Sequence, residues 1–202
     1  ARPEITSVVN FGSLLGDEHF LEPSARPAAD RDLAELGLER DRFLLSISRL
    51  IPLKFPDHVI RVLAEVRHLR PGLKALLVGD GSMRDRLVDL AHQLGVEGAV
   101  VFAGDRDQQF LSRIIPQAAV VLSPSTGRAL SEAALGGAPI VAYDTDWQKD
   151  MIETGVTGIL VPYRDCDGMA AGAARFLNEP SFARAMGDAV RRRALAMLDP
   201  AK

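Results

Sequence analysis

From Arg42 onward, the chain alternates between two patterns of apolar residues. Short apolar runs, each the length of a buried strand, occupy residues 42–48, 74–78, 100–103, 119–122, 139–143 and 158–161. Between these runs, apolar residues recur at the three- and four-residue spacing that places them on one face of a helix. Strands that alternate with helices predict right-handed crossovers and a parallel sheet covered by helices on both faces.

The predicted strands suit the doubly wound, Rossmann-like order 3-2-1-4-5-6, in which the winding reverses between the first and fourth strands. Ligands of open parallel sheets bind beyond the carboxyl ends of the strands, at this reversal. The loops that leave these two strands cover residues 48–55 and 123–130. We therefore expect both loops to line a binding site, and we expect the sixth strand at an edge of the sheet.

Residues 1–41 precede the alternation and are predicted to form an entry segment. Its expected parts are a short strand at 5–11, a Pro- and Ala-rich linker at 23–30, and a short helix from its cap Asp30 to Leu36. Residues 42–202 then form the Rossmann-like domain. Because the first residue is Ala1 rather than Met, we expect the 202 residues to be part of a longer protein.

The composition is that of a globular protein with a sizeable core, because 47% of the residues are hydrophobic and 25% are charged. No apolar run approaches the ~18 residues of a membrane span. The net charge of −3 argues against a nucleic-acid partner bound through bulk charge. A single cysteine, Cys166, and the lack of a signal-peptide pattern favour the cytoplasm. Arg191-Arg192-Arg193 is expected on a solvated face of the last helix, although peripheral membrane association of a full-length protein stays open.

The loop after the first strand carries two cations, Arg49 and Lys54. The planar guanidinium of arginine and the compact ammonium of lysine are both good phosphate ligands. In the predicted sheet, both side chains would project over the reversal of winding. The spacing alone supports an anion site and two solvated surface cations about equally.

The loop after the fourth strand leads into a helix whose start suits an anion. Ser125 or Thr126 can cap this helix, and Gly127 permits a close approach to its backbone. Free N–H groups and the positive end of the helix dipole attract phosphate. Glu132 lies about one turn further on, where a carboxylate can accept hydrogen bonds from a ribose diol. The alternative for Glu132 is a partly buried surface acid.

Three further features carry weaker indications. Gly79-Asp80-Gly81 lacks the third glycine of a dinucleotide fingerprint, and is predicted to be a tight turn into a helix capped by Ser82. The four histidines show no metal-ligand spacing, so no metal site is expected. Trp147, after the fifth strand, suits a packing anchor and a ligand platform about equally.

Six segments, taken in order, resemble those of a known family. They are residues 48–55 (SRLIPLKF), 78–82 (VGDGS), 100–104 (VVFAG), 118–125 (AAVVLSPS), 132–142 (EAALGGAPIVA) and 153–165. The set resembles the C-terminal, nucleotide-sugar-binding domain of retaining glycosyltransferases of family 4 (group 1). Members of this family have the two-domain GT-B fold. The resemblance therefore implies one half of that architecture, with a missing N-terminal acceptor-binding domain.

The resemblance also implies roles for individual residues. Arg49 and Lys54 would bind the donor diphosphate and stabilise the leaving nucleotide while the glycosidic bond breaks. Glu132 would hold the ribose hydroxyls. Phosphate would be cradled by backbone at Gly127, Arg128, Ala129 and Leu130, and the base would lie near Gly104, Asp105 and Arg106. The family's reaction retains the anomeric configuration of a UDP- or GDP-sugar and requires neither a metal nor another cofactor.

One departure from the family bears on activity. Thr126-Gly127-Arg128 stands where members carry a segment with a glutamate that contacts the donor sugar, and Arg128 lies near that place. Two alternatives to a glycosyltransferase remain: a non-catalytic module that binds sugar nucleotides, and a domain of a sugar-nucleotide 2-epimerase with the same GT-B fold. In each case, we expect the isolated domain to be inactive as an enzyme.

Overall fold

The computed structural model describes Phe20 and residues 26–197. Its strands are β1 (Phe43–Ile47), β2 (Lys74–Val78), β3 (Val100–Gly104), β4 (Val120–Ser123), β5 (Ile140–Tyr143) and β6 (Ile159–Val161). All pairs of neighbouring strands are parallel, in the order β3-β2-β1-β4-β5-β6. The predicted doubly wound order is therefore confirmed, with the reversal between β1 and β4 and with β6 at an edge.

Helices connect the strands and cover both faces of the sheet. They are α1 (Arg26–Glu35), α2 (Pro56–Val66), α3 (Arg84–Gln93), α4 (Gln108–Ile114), α5 (Arg128–Leu135), α6 (Gln148–Met151), α7 (Cys166–Asn178) and α8 (Pro180–Met197). The apolar spacing predicts these helices from α2 onward, but it does not predict their caps. Met83, rather than Ser82, precedes α3, and Gly127, rather than Ser125 or Thr126, precedes α5.

Alternate residues of the central strands face two separate cores. Leu44 and Leu77 pack on one face with residues of α2, α3 and α7. Leu45 and Leu76 pack on the other face with residues of α1, α4, α5 and α8. Successive side chains of a strand point to opposite faces, so a strand covered on both sides must be apolar throughout. This is why the central strands appear in the sequence as continuous apolar runs.

Residues 26–41 pack onto the domain. α1 begins at Arg26 and not at Asp30, so it includes part of the predicted linker. Leu33 of α1 is buried in the second core. Asp32 of α1 forms an ion pair of 2.5 Å with Arg113 of α4. The strand predicted at residues 5–11 lies outside the described residues.

The basic cluster of α8 is not a solvated face, contrary to the prediction. Arg191 donates hydrogen bonds to the carbonyl of Leu135 and, at 3.0 Å, to the carbonyl of Phe20. Arg193 donates to the carboxylate of Glu153 at 2.7 Å. Arg192 is exposed. Two of the three arginines therefore attach α8 to the rest of the domain.

Candidate functional site

A cavity of about 390 Å³ opens at the carboxyl ends of the central strands, at the reversal of winding. Its walls come from the loops after β1, β2, β3 and β4, and from the start of α5. The predicted site residues on these walls are Arg49, Lys54, Asp105, Arg106, Gly127, Arg128, Ala129 and Glu132. Tertiary structure thus brings together residues that are separated by up to three strands and three α-helices in the sequence.

Two predicted site residues, Gly104 and Leu130, do not line the cavity. Leu130 is buried in the second core, and its N–H donates to the carbonyl of Gly127 at 3.1 Å. Gly104 ends β3, and its carbonyl accepts a hydrogen bond of 2.8 Å from the N–H of Gly79. The N–H of Leu130 is thus engaged within the helix, whereas the first turn of α5 supplies no acceptor for the N–H of Ala129.

The loop that carries Arg49 rests on the loop after β2. The N–H groups of Ser48 and Leu50 donate to the carbonyls of Val78 and Asp80 at 3.0 and 2.9 Å. A Cβ on Gly79 would lie 2.1 Å from the carbonyl oxygen of Ser48, and a Cβ on Gly81 would lie 2.5 Å from that of Leu50. The two glycines therefore do more than form the predicted tight turn. They let one loop support the backbone of the other.

Arg49 and Lys54 line the same cavity but differ in their contacts. Arg49 is exposed, and it has no hydrogen bond or ion pair with any residue that the structure describes. Lys54 donates to the carbonyl of Thr126 at 2.6 Å and so bridges the loops after β1 and β4. Its Nζ lies 3.9 Å from where a Cβ on Gly127 would be. An anion at the start of α5 would therefore meet the ammonium and the helix N–H groups together.

Glu132 is buried, with 3% of its surface exposed, and two donors hold its carboxylate. Nε of Arg128 lies 3.0 Å from Oε1, and Nε2 of Gln108 donates to the same oxygen at 2.6 Å. A buried carboxylate needs such partners, because its removal from water is costly. No sequence pattern indicates Gln108, because only the tertiary structure places the start of α4 beside α5.

The loop after β3 contributes Asp105 and Arg106, both exposed at the rim of the cavity. Arg106 donates to the carbonyl of Ala103 at 3.0 Å, and its guanidinium lies 5.0 Å from the centre of the Phe110 ring. These contacts hold its cation in place. Charged residues on the walls are four cations (Arg49, Lys54, Arg106, Arg128) and two acids (Asp105, Glu132). The excess of positive charge suits a ligand such as a diphosphate.

The short helix α6, which follows β5, holds the end of β4 in place through Gln148, which is fully buried. Its Oε1 accepts from the hydroxyl of Ser123 at 2.7 Å, and its Nε2 donates to the carbonyl of Tyr143 at 2.9 Å. The hydroxyl of Thr126 donates to Asp146 at 3.1 Å, so it does not cap α5. Trp147 packs against the second core, which favours the packing role over the ligand platform.

A group of titratable side chains lies at the end of β5, outside the cavity. Nδ1 of His58 and the hydroxyl oxygen of Tyr143 are 2.6 Å apart. Burial lowers the pKa of His58 and raises the pKa of Tyr143, because it disfavours the charged form of each. Burial also raises the pKa of Cys166 to about 11. This thiol therefore lacks the low pKa of a nucleophilic cysteine.

Neither a candidate metal site nor a candidate membrane-spanning helix is found among Phe20 and residues 26–197. Within this part of the chain, no group of three or more His, Cys, Asp or Glu side chains is placed to hold a metal ion. None of the helices described there is long and apolar enough to cross a membrane.

Comparisons with known proteins indicate a family. A family model described as glycosyl transferases group 1 matches residues 29–193. An uncharacterized glycosyltransferase of Methanocaldococcus jannaschii is 32% identical over 152 residues, which are 73% of this chain and 39% of that protein. A D-inositol 3-phosphate glycosyltransferase of Thermobispora bispora is 32% identical over 194 residues, 89% of this chain and 44% of that protein. The chain thus spans less than half the length of these relatives.

Solved structures share the fold. The crystal structure of Anabaena HepE in complex with UDP superposes with a TM-score of 0.80 at 23% identity, over 91% of this chain and 51% of that one. Sucrose-phosphate synthase from Thermosynechococcus elongatus gives a TM-score of 0.74 at 26% identity, over 83% and 44% of the two chains. These likenesses confirm the expected Rossmann-like domain of the GT-B type.

Proposed function

This chain belongs to the glycosyl transferases group 1 family, and we propose that it binds the donor in a retaining glycosyltransferase that moves a sugar from a nucleotide-diphospho-sugar to an acceptor. The observation that carries the proposal is the cavity at the reversal, where Arg49, Lys54 and the start of α5 converge. Cations and the N–H groups of a helix start that face one point form a diphosphate site.

Each wall of the cavity takes one part of the donor in this proposal. Arg49 and Lys54 bind the diphosphate and neutralise the charge that develops on it while the bond to the sugar breaks. Glu132 holds the ribose hydroxyls, and the loop with Asp105 and Arg106 lies beside the base. The positive charge comes from the protein, so we propose that the reaction needs no metal. Affinity for the nucleotide should then be equal in Mg²⁺ and in EDTA.

Calorimetric titration of the 202-residue chain with UDP, GDP and ADP tests the proposal. At least one nucleotide should bind, and Arg49→Ala should weaken its binding by about ten- to a hundredfold, the effect of one charge-assisted hydrogen bond. Arg192→Ala is the matched control, because it removes the same charge from an exposed position of α8. If none of the three nucleotides binds, or if both variants bind equally well, the site is not at the reversal.

A non-catalytic module that binds sugar nucleotides is the second candidate. It is favoured by Arg128, which stands near the place of the family's sugar-contacting glutamate and forms an ion pair with Glu132. A longer protein that contains this chain would distinguish the candidates. Transfer of sugar to an acceptor supports the first, and binding without turnover supports the second. Epimerisation of the donor would instead indicate the 2-epimerase. We further propose that this longer protein also contains an acceptor-binding domain and that it works in the cytoplasm.

A further inference from the structure

Gln108 is the first residue of α4, and neither its type nor its spacing indicates a role in the sequence. Its Nε2 donates a hydrogen bond of 2.6 Å to Oε1 of Glu132. Its own Oε1 is buried and has no hydrogen-bond partner among the residues that the structure describes. The amide of Gln108 therefore gives the carboxylate of Glu132 a hydrogen bond, while its own oxygen is buried without one.

The carboxylate dictates the orientation of this amide. If the amide were turned over, Oε1 of Gln108 would face an oxygen of Glu132, and two acceptors would repel each other. The side chain therefore keeps its donor on Glu132 although its acceptor is buried without a partner. Buried acceptors of this kind are rare, because they lose hydrogen bonds to water without replacement.

The two donors on Glu132 come from different walls of the cavity. Arg128 lies on the same helix, four residues earlier, and 46% of its side chain is exposed. Gln108 comes from α4, which directly follows the loop with Asp105 and Arg106. Its hydrogen bond therefore ties Glu132 to the wall formed by β3 and α4. A side chain held from two walls has few orientations left.

We infer that Gln108 is a positioning residue that fixes Glu132 in the orientation that accepts the ribose hydroxyls, and that this makes the site selective for ribonucleoside over 2′-deoxyribonucleoside diphosphates. The inference rests on the proposed function, because it assumes that a nucleotide occupies the cavity. Gln108 acts through Glu132, so it should affect recognition of the ribose and leave recognition of the diphosphate unchanged.

Three probes separate these effects: UDP, dUDP and inorganic pyrophosphate, each titrated calorimetrically into the chain. The test variants are Gln108→Met, which removes the donor at similar length, and Gln108→Glu, which keeps the shape but replaces the donor by an acceptor. Gln109→Met and Gln109→Glu are matched controls, because Gln109 is the exposed neighbour in the same helix turn. Circular dichroism selects the variants that are folded.

We expect the wild-type chain to bind UDP about tenfold more tightly than dUDP, the effect of about one hydrogen bond. Either variant at position 108 should reduce this preference to about twofold or less, and Gln108→Met should leave the affinity for pyrophosphate unchanged. Both Gln109 variants should keep the wild-type preference.

Four results would overturn the inference. A wild-type chain that binds UDP and dUDP equally well has no ribose selectivity, although the proposed function would stand. A preference that survives in folded Gln108 variants would assign the selectivity elsewhere. Equal losses of UDP and pyrophosphate binding in Gln108→Met would show a general loosening of the domain. If the wild-type chain binds none of the three probes, the proposed function itself fails, and the inference fails with it.

Discussion

The support of the Arg49 loop by Gly79 predicts that Gly79→Ala is severely destabilising. Gly79 has φ of +124°, a conformation that L-residues rarely adopt, and its new Cβ would lie 2.1 Å from the carbonyl oxygen of Ser48. The strained backbone alone costs about 1–3 kcal/mol. To relieve the clash, the two loops must separate, and this breaks the 3.0 Å hydrogen bond from Ser48 to Val78. That loss adds about 1 kcal/mol.

The expected total is a loss of about 2–4 kcal/mol in the free energy of unfolding, out of the roughly 5–15 kcal/mol typical of a domain. For a chain of this size, the melting temperature should fall by about 2–4 °C for each kcal/mol. Urea denaturation and thermal melting followed by circular dichroism measure both quantities. The same movement displaces Arg49, so the affinity for a nucleoside diphosphate should also fall.

Two other glycines separate the cost of the strained backbone from the cost of the clash between the two loops. A Cβ on Gly95 would meet nothing within 4 Å, but its φ is +64°, so Gly95→Ala should show only the backbone cost of about 1–2 kcal/mol. A Cβ on Gly98 also meets nothing within 4 Å and its φ is not positive, so Gly98→Ala should be within about 0.5 kcal/mol of wild type. If Gly79→Ala lowers the free energy of unfolding no more than Gly95→Ala does, the close approach of the two loops is contradicted.

Three further predictions concern other parts of the structure. Gln148→Leu should lower the free energy of unfolding by about 2–4 kcal/mol, because it leaves buried partners at Ser123 and Tyr143 unsatisfied, whereas exposed Lys149→Leu should have little effect in the same urea titration. Burial lowers the pKa of His58 in the folded state, so the unfolded chain takes up a proton first. The contribution of neutral His58 to the free energy of unfolding is therefore complete above its unfolded pKa of about 6.5 and is lost as the pH falls below that value. In His58→Gln, the free energy of unfolding should therefore depend less on pH over this range. Cys166, with its pKa raised to about 11, should react with iodoacetamide at pH 7.5 at least about tenfold more slowly than in urea, and equal rates would contradict its burial.

The fold could be derived from the sequence because periodicity is a local signal. Each central strand is covered on both faces, so it appears as a short apolar run, and each helix has one apolar face. Together with right-handed crossovers, these elements allow few topologies, and the observed order is the simplest of them. The ends of the helices were harder to derive, because α3 and α5 start without the side-chain caps that Ser82, Ser125 and Thr126 suggested.

The sequence also determined where the candidate site lies. Once the strand order is known, the reversal of winding selects the loop after β1, which carries Arg49 and Lys54, and the loop after β4, which leads into the helix with Glu132. What these side chains contact was decided by the tertiary structure alone. Gln108 holds Glu132 from another helix, Lys54 bridges two loops, and Gly79 supports a loop 30 residues earlier in the chain. Such contacts join distant segments that meet only when the sheet forms, so no local pattern of residues records them.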